Sequence, residues 1–261
     1  MNFELPFLPE RTTTPRDYGL TMMMDKGLSW RQAENFVDSC SEYTDIVKLG
    51  FGTSYLANDL ERKLEIYNSA GLNCYLGGTL FEAFIIRGMF EEYRNLLNKF
   101  NIKMVEVSDG SIVLNHNKKC EYIAELSKDF TVLSEVGSKE EGILISPNKW
   151  INMISAELEA GSWKVIAEAR ESGNVGIYRP NGTAHVALVN KIISKISIEN
   201  ILWEAPIKTQ QVWFIKQFGC NVNLGNIGHD EVIPLETLRI GLRGDTFHDF
   251  LPDNLARKEL S

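Results

Sequence analysis

Five charged residues stand inside short apolar runs: Lys48 in DIVKLG, Glu106 in KMVEV, Glu135 in TVLSEV, Glu168 in KVIAEA and Glu204 in ILWE. Burying an unpaired carboxylate or ammonium costs several kcal/mol, so each must be paired, metal-bound or at a wet mouth. Four carboxylates meeting at one mouth repel one another, and a divalent cation with Lys48, Lys139 and Arg170 would relieve that. All-oxygen donors favour Mg2+ over zinc. Glycines close several of the same runs, at Gly50-Phe51-Gly52, Gly77-Gly78 and Gly225-Asn226. There the backbone can approach a ligand closely and its N–H groups can hold a phosphate. The residues thus imply a metal-assisted enzyme acting on a small anionic, phosphorylated substrate.

The elements that must carry them alternate. Strands are expected at Tyr18–Met24, Asp45–Gly50, Asn73–Gly77, Lys103–Val107, Thr131–Val136, Lys164–Ala169, Ile201–Glu204 and Asn221–Leu224. Most are continuous apolar runs, as in parallel strands buried on both faces. Helices are expected near 30–42, 56–69, 82–98, 117–128, 148–160, 183–195, 209–218 and 235–243. Ser29 with Gln32 forms a capping box, and Ser146-Pro147 supplies a cap and a first-turn proline. Strict βα alternation requires a parallel sheet with right-handed crossovers. Eight units in 261 residues fit a single (β/α)8 TIM barrel, with a doubly wound open sheet as the other arrangement. No linker divides the chain, so residues 1–261 are expected to form one domain, with extensions at 1–17 and 244–261 covering the barrel ends.

The net charge of −8 lacks the footprint of a nucleic-acid binder. No run is long and apolar enough to cross a membrane, and the first residues have no signal-peptide pattern, so a cytoplasmic protein is expected. Cys40, Cys74, Cys120 and Cys220 form no CxxC pair and are expected as reduced, buried thiols.

In order along the chain, YGLTMMMDKGL, DIVKLGFGT, YLGGTLFE, VEVSDGS, SEVGSK, the EARESG block, WEAP, VNLGNI and LRIGLRGDT resemble the phosphosulfolactate synthase family from about Pro15 to Thr246. The resemblance implies a (β/α)8 barrel that adds sulfite to C3 of phosphoenolpyruvate with Mg2+, giving (2R)-phospho-3-sulfolactate. In methanogens this product leads toward coenzyme M, and some bacteria make sulfolactate from it. The resemblance further implies a homo-oligomer, a trimer, and Lys139 of SEVGSK as the general acid that protonates C2. Two other readings remain: another phosphoenolpyruvate-using or enolate-forming enzyme, and a non-catalytic barrel like the plant heat-stress-associated branch of the family.

Several roles stay open at the sequence level. Lys139 is either the acid or a loop lysine that binds phosphate or sulfite. Lys48 either binds an anion or pairs with a neighbouring strand, and Arg170 suits bidentate phosphate or carboxylate recognition. Glu106, Glu135, Glu168 and Glu204 compete as metal ligands. Ser108, Gly225 and Asn226 are candidate substrate contacts, the last two where barrels often bind phosphate. Asp25 and Asp109 are ligands or helix caps. Phe51 and Phe81 either shield the mouth or pack. Residues 178–182 form either a lid or a turn.

Overall fold

The computed structural model describes residues 3–137, 146–169 and 172–256. Eight strands form one parallel sheet: β1 (Thr21–Asp25), β2 (Ile46–Leu49), β3 (Asn73–Tyr75), β4 (Met104–Val107), β5 (Thr131–Val136), β6 (Ser162–Ala167), β7 (Ile201–Glu204) and β8 (Leu224–Gly228). The order β3-β2-β1-β8-β7-β6-β5-β4 is that of a barrel whose helices pack outside. Parallel ladders join every neighbouring pair except β3 and β4, among the described residues.

The helices between strands are α1 (Trp30–Cys40), α2 (Thr53–Leu56), α3 (Leu60–Ser69), α4 (Gly78–Ile85), α5 (Phe90–Lys99), α6 (His116–Leu126), α7 (Pro147–Glu159), α8 (Val186–Ile193), α9 (Lys208–Phe218) and α10 (Val232–Arg239), followed by a short α11 (Asp253–Ala256). Helix starts follow local chemistry. The Ser29–Gln32 capping box opens α1, Ser146 caps α7 ahead of Pro147, and Asn115 accepts from Asn117 N at the start of α6. Among the described residues, no helix is long and apolar enough to cross a membrane.

Three expectations are corrected. The single helix near 82–98 is two, because Gly88 takes a left-handed φ of +70° between α4 and α5. The helix near 56–69 is likewise divided at Asp59, which has φ +56°. The last strand is Leu224–Gly228 rather than Asn221–Leu224. Ahead of it the Asn223 side chain bonds to the backbone, accepting from Leu20 N at 3.1 Å and donating to Glu199 O and Ile201 O at 3.0 Å.

Strand side chains alternate between two cores. Outward residues meet the helices. Inward ones, Leu20, Met22, Ile46, Tyr75, Met104, Leu133, Ile166 and Leu202, fill the barrel. Two residues beyond five of these stand the strand charges: Lys48 after Ile46, Glu106 after Met104, Glu135 after Leu133, Glu168 after Ile166 and Glu204 after Leu202. A period of two therefore aims all five inward at the C-terminal end of the barrel, where barrel enzymes do their chemistry.

At the opposite end the N-terminal segment lies across the floor. Arg11 Nε is 2.9 Å from Glu236 Oε1, and Arg16 Nε is 2.8 Å from Asp45 Oδ1. The fully buried Arg239 donates to Cys220 O at 2.6 Å, Val222 O at 2.7 Å and Leu20 O at 3.1 Å.

Candidate active site

A cavity of about 320 Å3 opens at the C-terminal ends of the strands. Its base is an ion cluster. The Lys48 ammonium lies 2.9 Å from Glu106 Oε2, 3.4 Å from Glu204 Oε1 and 3.6 Å from Glu135 Oε2. All four residues line the cavity and are almost enclosed. Of the two readings for Lys48, the structure has the cross-strand ion pair, made three times.

Second partners fix the carboxylates. Gly78 N donates to Glu106 Oε1 at 2.7 Å, bridging the seam between β3 and β4 that lacks a ladder. Ala169 N donates to Glu204 Oε2 at 2.8 Å. Burial pulls the Lys48 ammonium toward neutrality, but Glu106, Glu204 and Glu135 together outweigh it and hold the lysine charged above its usual range. Burial pushes the Glu204 carboxyl up to about 7, with Lys48 opposing and Glu135 reinforcing the shift.

The remaining expected residues divide. Asn226 lines the cavity from β8 with φ +57°, a conformation that asparagine tolerates, and its Oδ1 is buried without a hydrogen-bond partner. Gly225 is not in a phosphate loop but within β8. A Cβ there would come 2.6 Å from Met22 Cε, so the glycine serves packing inside the barrel. Ser108 is fully buried, its hydroxyl donates to Glu82 Oε1, and it is not among the residues that line the cavity. Glu168 points inward from its strand end but does not line the cavity; it packs under Gly137, whose Cβ would meet Glu168 Cβ at 2.6 Å. Lys139 and Arg170 lie outside the described residues.

Asp25 and Asp109 resolve toward anchoring. Asp25 Oδ1 accepts from Gly27 N and Leu28 N, both at 2.8 Å, while its Oδ2 takes Tyr67 OH at 2.9 Å and the Lys63 ammonium at 2.5 Å. Asp109 pairs with Lys119 at 3.0 Å. Phe81 is core, edge-on to Tyr93 and Tyr122, whereas Phe51 is half exposed at the cavity rim with φ +56°. Residues 178–182 are the turn of a short hairpin. Tyr178 OH donates to Glu204 O at 2.6 Å, and Gln210 Nε2 donates to Gly173 O at 2.7 Å and Gly182 O at 3.1 Å. Sequence reasoning assigned no role to Thr79, Ser111 and Ser172, which line the cavity. Their one signal is position, each a hydroxyl within a few residues of a strand end.

Among the described residues, no group of three or more His, Cys, Asp or Glu side chains is gathered as a metal site; the carboxylates surround an ammonium instead. Their chemistry nonetheless suits a hard cation. Among the described lining residues the carboxylates of Glu106, Glu135 and Glu204 and the hydroxyls of Thr79, Ser111 and Ser172 are oxygen donors, and the orphaned Asn226 Oδ1 is a further one. Mg2+ takes only one or two protein carboxylates and completes its shell with water and substrate oxygens.

The chain is a parallel (β/α)8 barrel with a charged layer at its C-terminal mouth, the end at which barrel enzymes carry their active sites. The fold is similar to that of 3-hexulose-6-phosphate synthase from Salmonella typhimurium, with a TM-score of 0.53 at 12% identity, covering 86% of this chain and 100% of that one. The chain belongs to the (2R)-phospho-3-sulfolactate synthase (ComA) family, whose profile matches residues 9–245. It is 41% identical to the phosphosulfolactate synthase of Bacillus subtilis over 243 residues, covering 92% of this chain and 96% of that protein. It is 40% identical to that of Methanothermobacter thermautotrophicus over 245 residues, covering 91% and 95%.

Proposed function

We propose that this enzyme is a Mg2+-dependent phosphosulfolactate synthase that adds sulfite to C3 of phosphoenolpyruvate, giving (2R)-phospho-3-sulfolactate. The observation that carries the reading is the charge of the cavity in a chain of this family. Among its described lining residues one ammonium faces three carboxylates, a surface that would repel a multiply charged anion unless further cations join it. A divalent cation with Lys139 and Arg170, which follow β5 and β6 in sequence, meets that need.

Glu106, Glu135 and the Asn226 Oδ1 are the donors that would hold Mg2+. Glu204 suits the task less, since it holds its proton to near neutrality and its Oε2 already takes the Ala169 N–H. Bound beside the substrate carboxylate, Mg2+ would stabilise negative charge developing there. The sulfite sulfur lone pair forms the C3–S bond, and the C2=C3 π pair moves onto C2 and its carboxylate. A proton delivered to one face of C2 completes the addition with the C–O–P linkage intact. Lys139 is the proposed donor, as the family resemblance implies. Lys48 is unsuited to that role, because its three acids hold its proton tightly; it keeps the carboxylate layer together. The rigid strand ends orient the substrate, and Phe51 at the rim limits water access.

The test is phosphoenolpyruvate consumption by purified protein. Loss is expected only when sulfite and Mg2+ are both present, with a product that retains phosphate and carries sulfonate. Consumption without sulfite would indicate another nucleophile, and no consumption under any of these conditions would reject the reading.

A further inference from the structure

The loop joining β4 to α6 carries a group of donors that could hold an anion, and an internal carboxylate already fills it. Glu82, 1% exposed on α4, receives Ser111 N on Oε2 at 2.6 Å and Gly110 N on Oε1 at 3.2 Å, together with the Ser108 hydroxyl on Oε1. Successive backbone N–H groups of this kind form an anion nest. Gly78 and Glu82 stand one turn apart on α4, on one face of the helix. The first grips Glu106 and the second grips the loop beyond it. Helix α4 thus clasps the C-terminal end of β4 across the seam that has no ladder.

From its other side the loop is held by Lys119, fully buried, which pairs with Asp109 at 3.0 Å and donates to Glu135 O at 2.5 Å. The ends of β4 and β5 are tied together through that loop. Ser111, the last residue of the nest, lines the cavity. A buried carboxylate with three donors, two of them backbone groups of a cavity loop, does more than fill space: it sets where that loop stands.

We propose that Glu82 is a positioning residue: its carboxylate occupies the anion nest of the β4–α6 loop and thereby fixes Ser111 as a substrate-binding hydroxyl on the cavity wall. The substrate phosphate then lies elsewhere in the cavity, because the nest is taken. The binding role of Ser111 rests on the reaction proposed above; the occupied nest does not.

The test uses Glu82→Ala and Ser111→Ala in the full chain. Removing either contact is expected to raise KM for phosphoenolpyruvate by about tenfold, the equivalent of one good hydrogen bond, while kcat changes much less. Glu82→Ala should also lower Tm. Added formate, a carboxylate small enough for the vacated nest, should restore Tm and KM in that variant and leave the wild type unchanged; chloride at equal ionic strength should do neither. A fall in kcat with KM unaltered, or absence of a formate effect on Tm, overturns the proposal. If Glu82→Ala does not fold, Ser111→Ala decides it: an unchanged KM rejects the assignment. If the wild type does not turn over phosphoenolpyruvate and sulfite, the functional reading fails, while the formate-dependent Tm of Glu82→Ala still reports on the nest.

Discussion

Lys48 and its three glutamates form a set whose members depend on one another. Replacing Lys48 by Met would leave Glu106, Glu135 and Glu204 facing each other in a buried layer, and breaking a buried pair in this way costs about 3–5 kcal/mol. The expected outcome for Lys48→Met is a lower urea midpoint together with loss of turnover; a variant of unchanged stability would show that the cluster holds nothing together. Glu204 adds a pH signature. Its carboxyl rises from an ordinary 4.5 to about 7 on folding, so the folded state binds the proton more tightly than the unfolded chain. That contribution is full below pH 4.5 and is lost as pH rises to about 7. Denaturant unfolding should therefore show a loss of up to a few kcal/mol across that window, and Glu204→Gln should flatten it. An equal slope in the variant would assign the effect to another group. Lys139→Ala bears on the proton donor: turnover should fall about 10²–10⁴-fold with the fold retained, the usual contribution of a general acid.

At the scale of elements, what repeats was legible and what depends on one contact was not. Lys48, Glu106, Glu135, Glu168 and Glu204 could be placed at one mouth because each follows an apolar residue by two positions in a β-branched run, and the strand period carries them inward. The caps of α1 and α7 were legible because capping is a local bargain between a serine and the next turn. The start of β8 was hidden, since Asn223 adds side-chain bonds to Leu20 N and Ile201 O beside the backbone bond its carbonyl accepts from Trp203 N, and the Gly225-Asn226 pair imitates a turn. Ser108 looked like a cavity residue because its partner, Glu82, stands 26 positions earlier on another element. The two α4–α5 glycines separate steric from conformational need. A methyl at Gly78 would fall on Ser108 Oγ and Glu106 Oε1, whereas one at Gly88 meets no atom within 4 Å but must accept φ +70°. Gly88→Ala should cost about 1 kcal/mol with activity intact, and Gly78→Ala should disrupt the seam and abolish turnover. Comparable activity in the two variants would remove the clasp from the account.

The molecule as a whole separates chemistry from closure, with the charged cavity at one end of the barrel and a strapped floor at the other, an arrangement general to barrel enzymes. The net charge of −8 accordingly has a local part, the carboxylates at the mouth, which calls for cations there. The floor has its own balance: Arg16 reaches from the N-terminal segment to Asp45, whose other oxygen accepts from Thr21 N at 2.8 Å at the start of β1. Burial already raises the Asp45 carboxyl above its ordinary value, with Arg16 opposing. In Arg16→Met the carboxyl loses that opposition and rises further. The variant should be destabilised by about 3–5 kcal/mol near neutral pH, where an unpaired buried carboxylate must stay ionised or take up a proton. Because protonation relieves the charge, the difference from wild type should shrink as pH falls through the range where Asp45 binds its proton. Urea titrations at several pH values check both the size and the direction. Turnover of the folded fraction should be unchanged, since the floor lies a full strand length from the cavity; a variant that is stable but inactive would show that the two ends of the barrel are coupled.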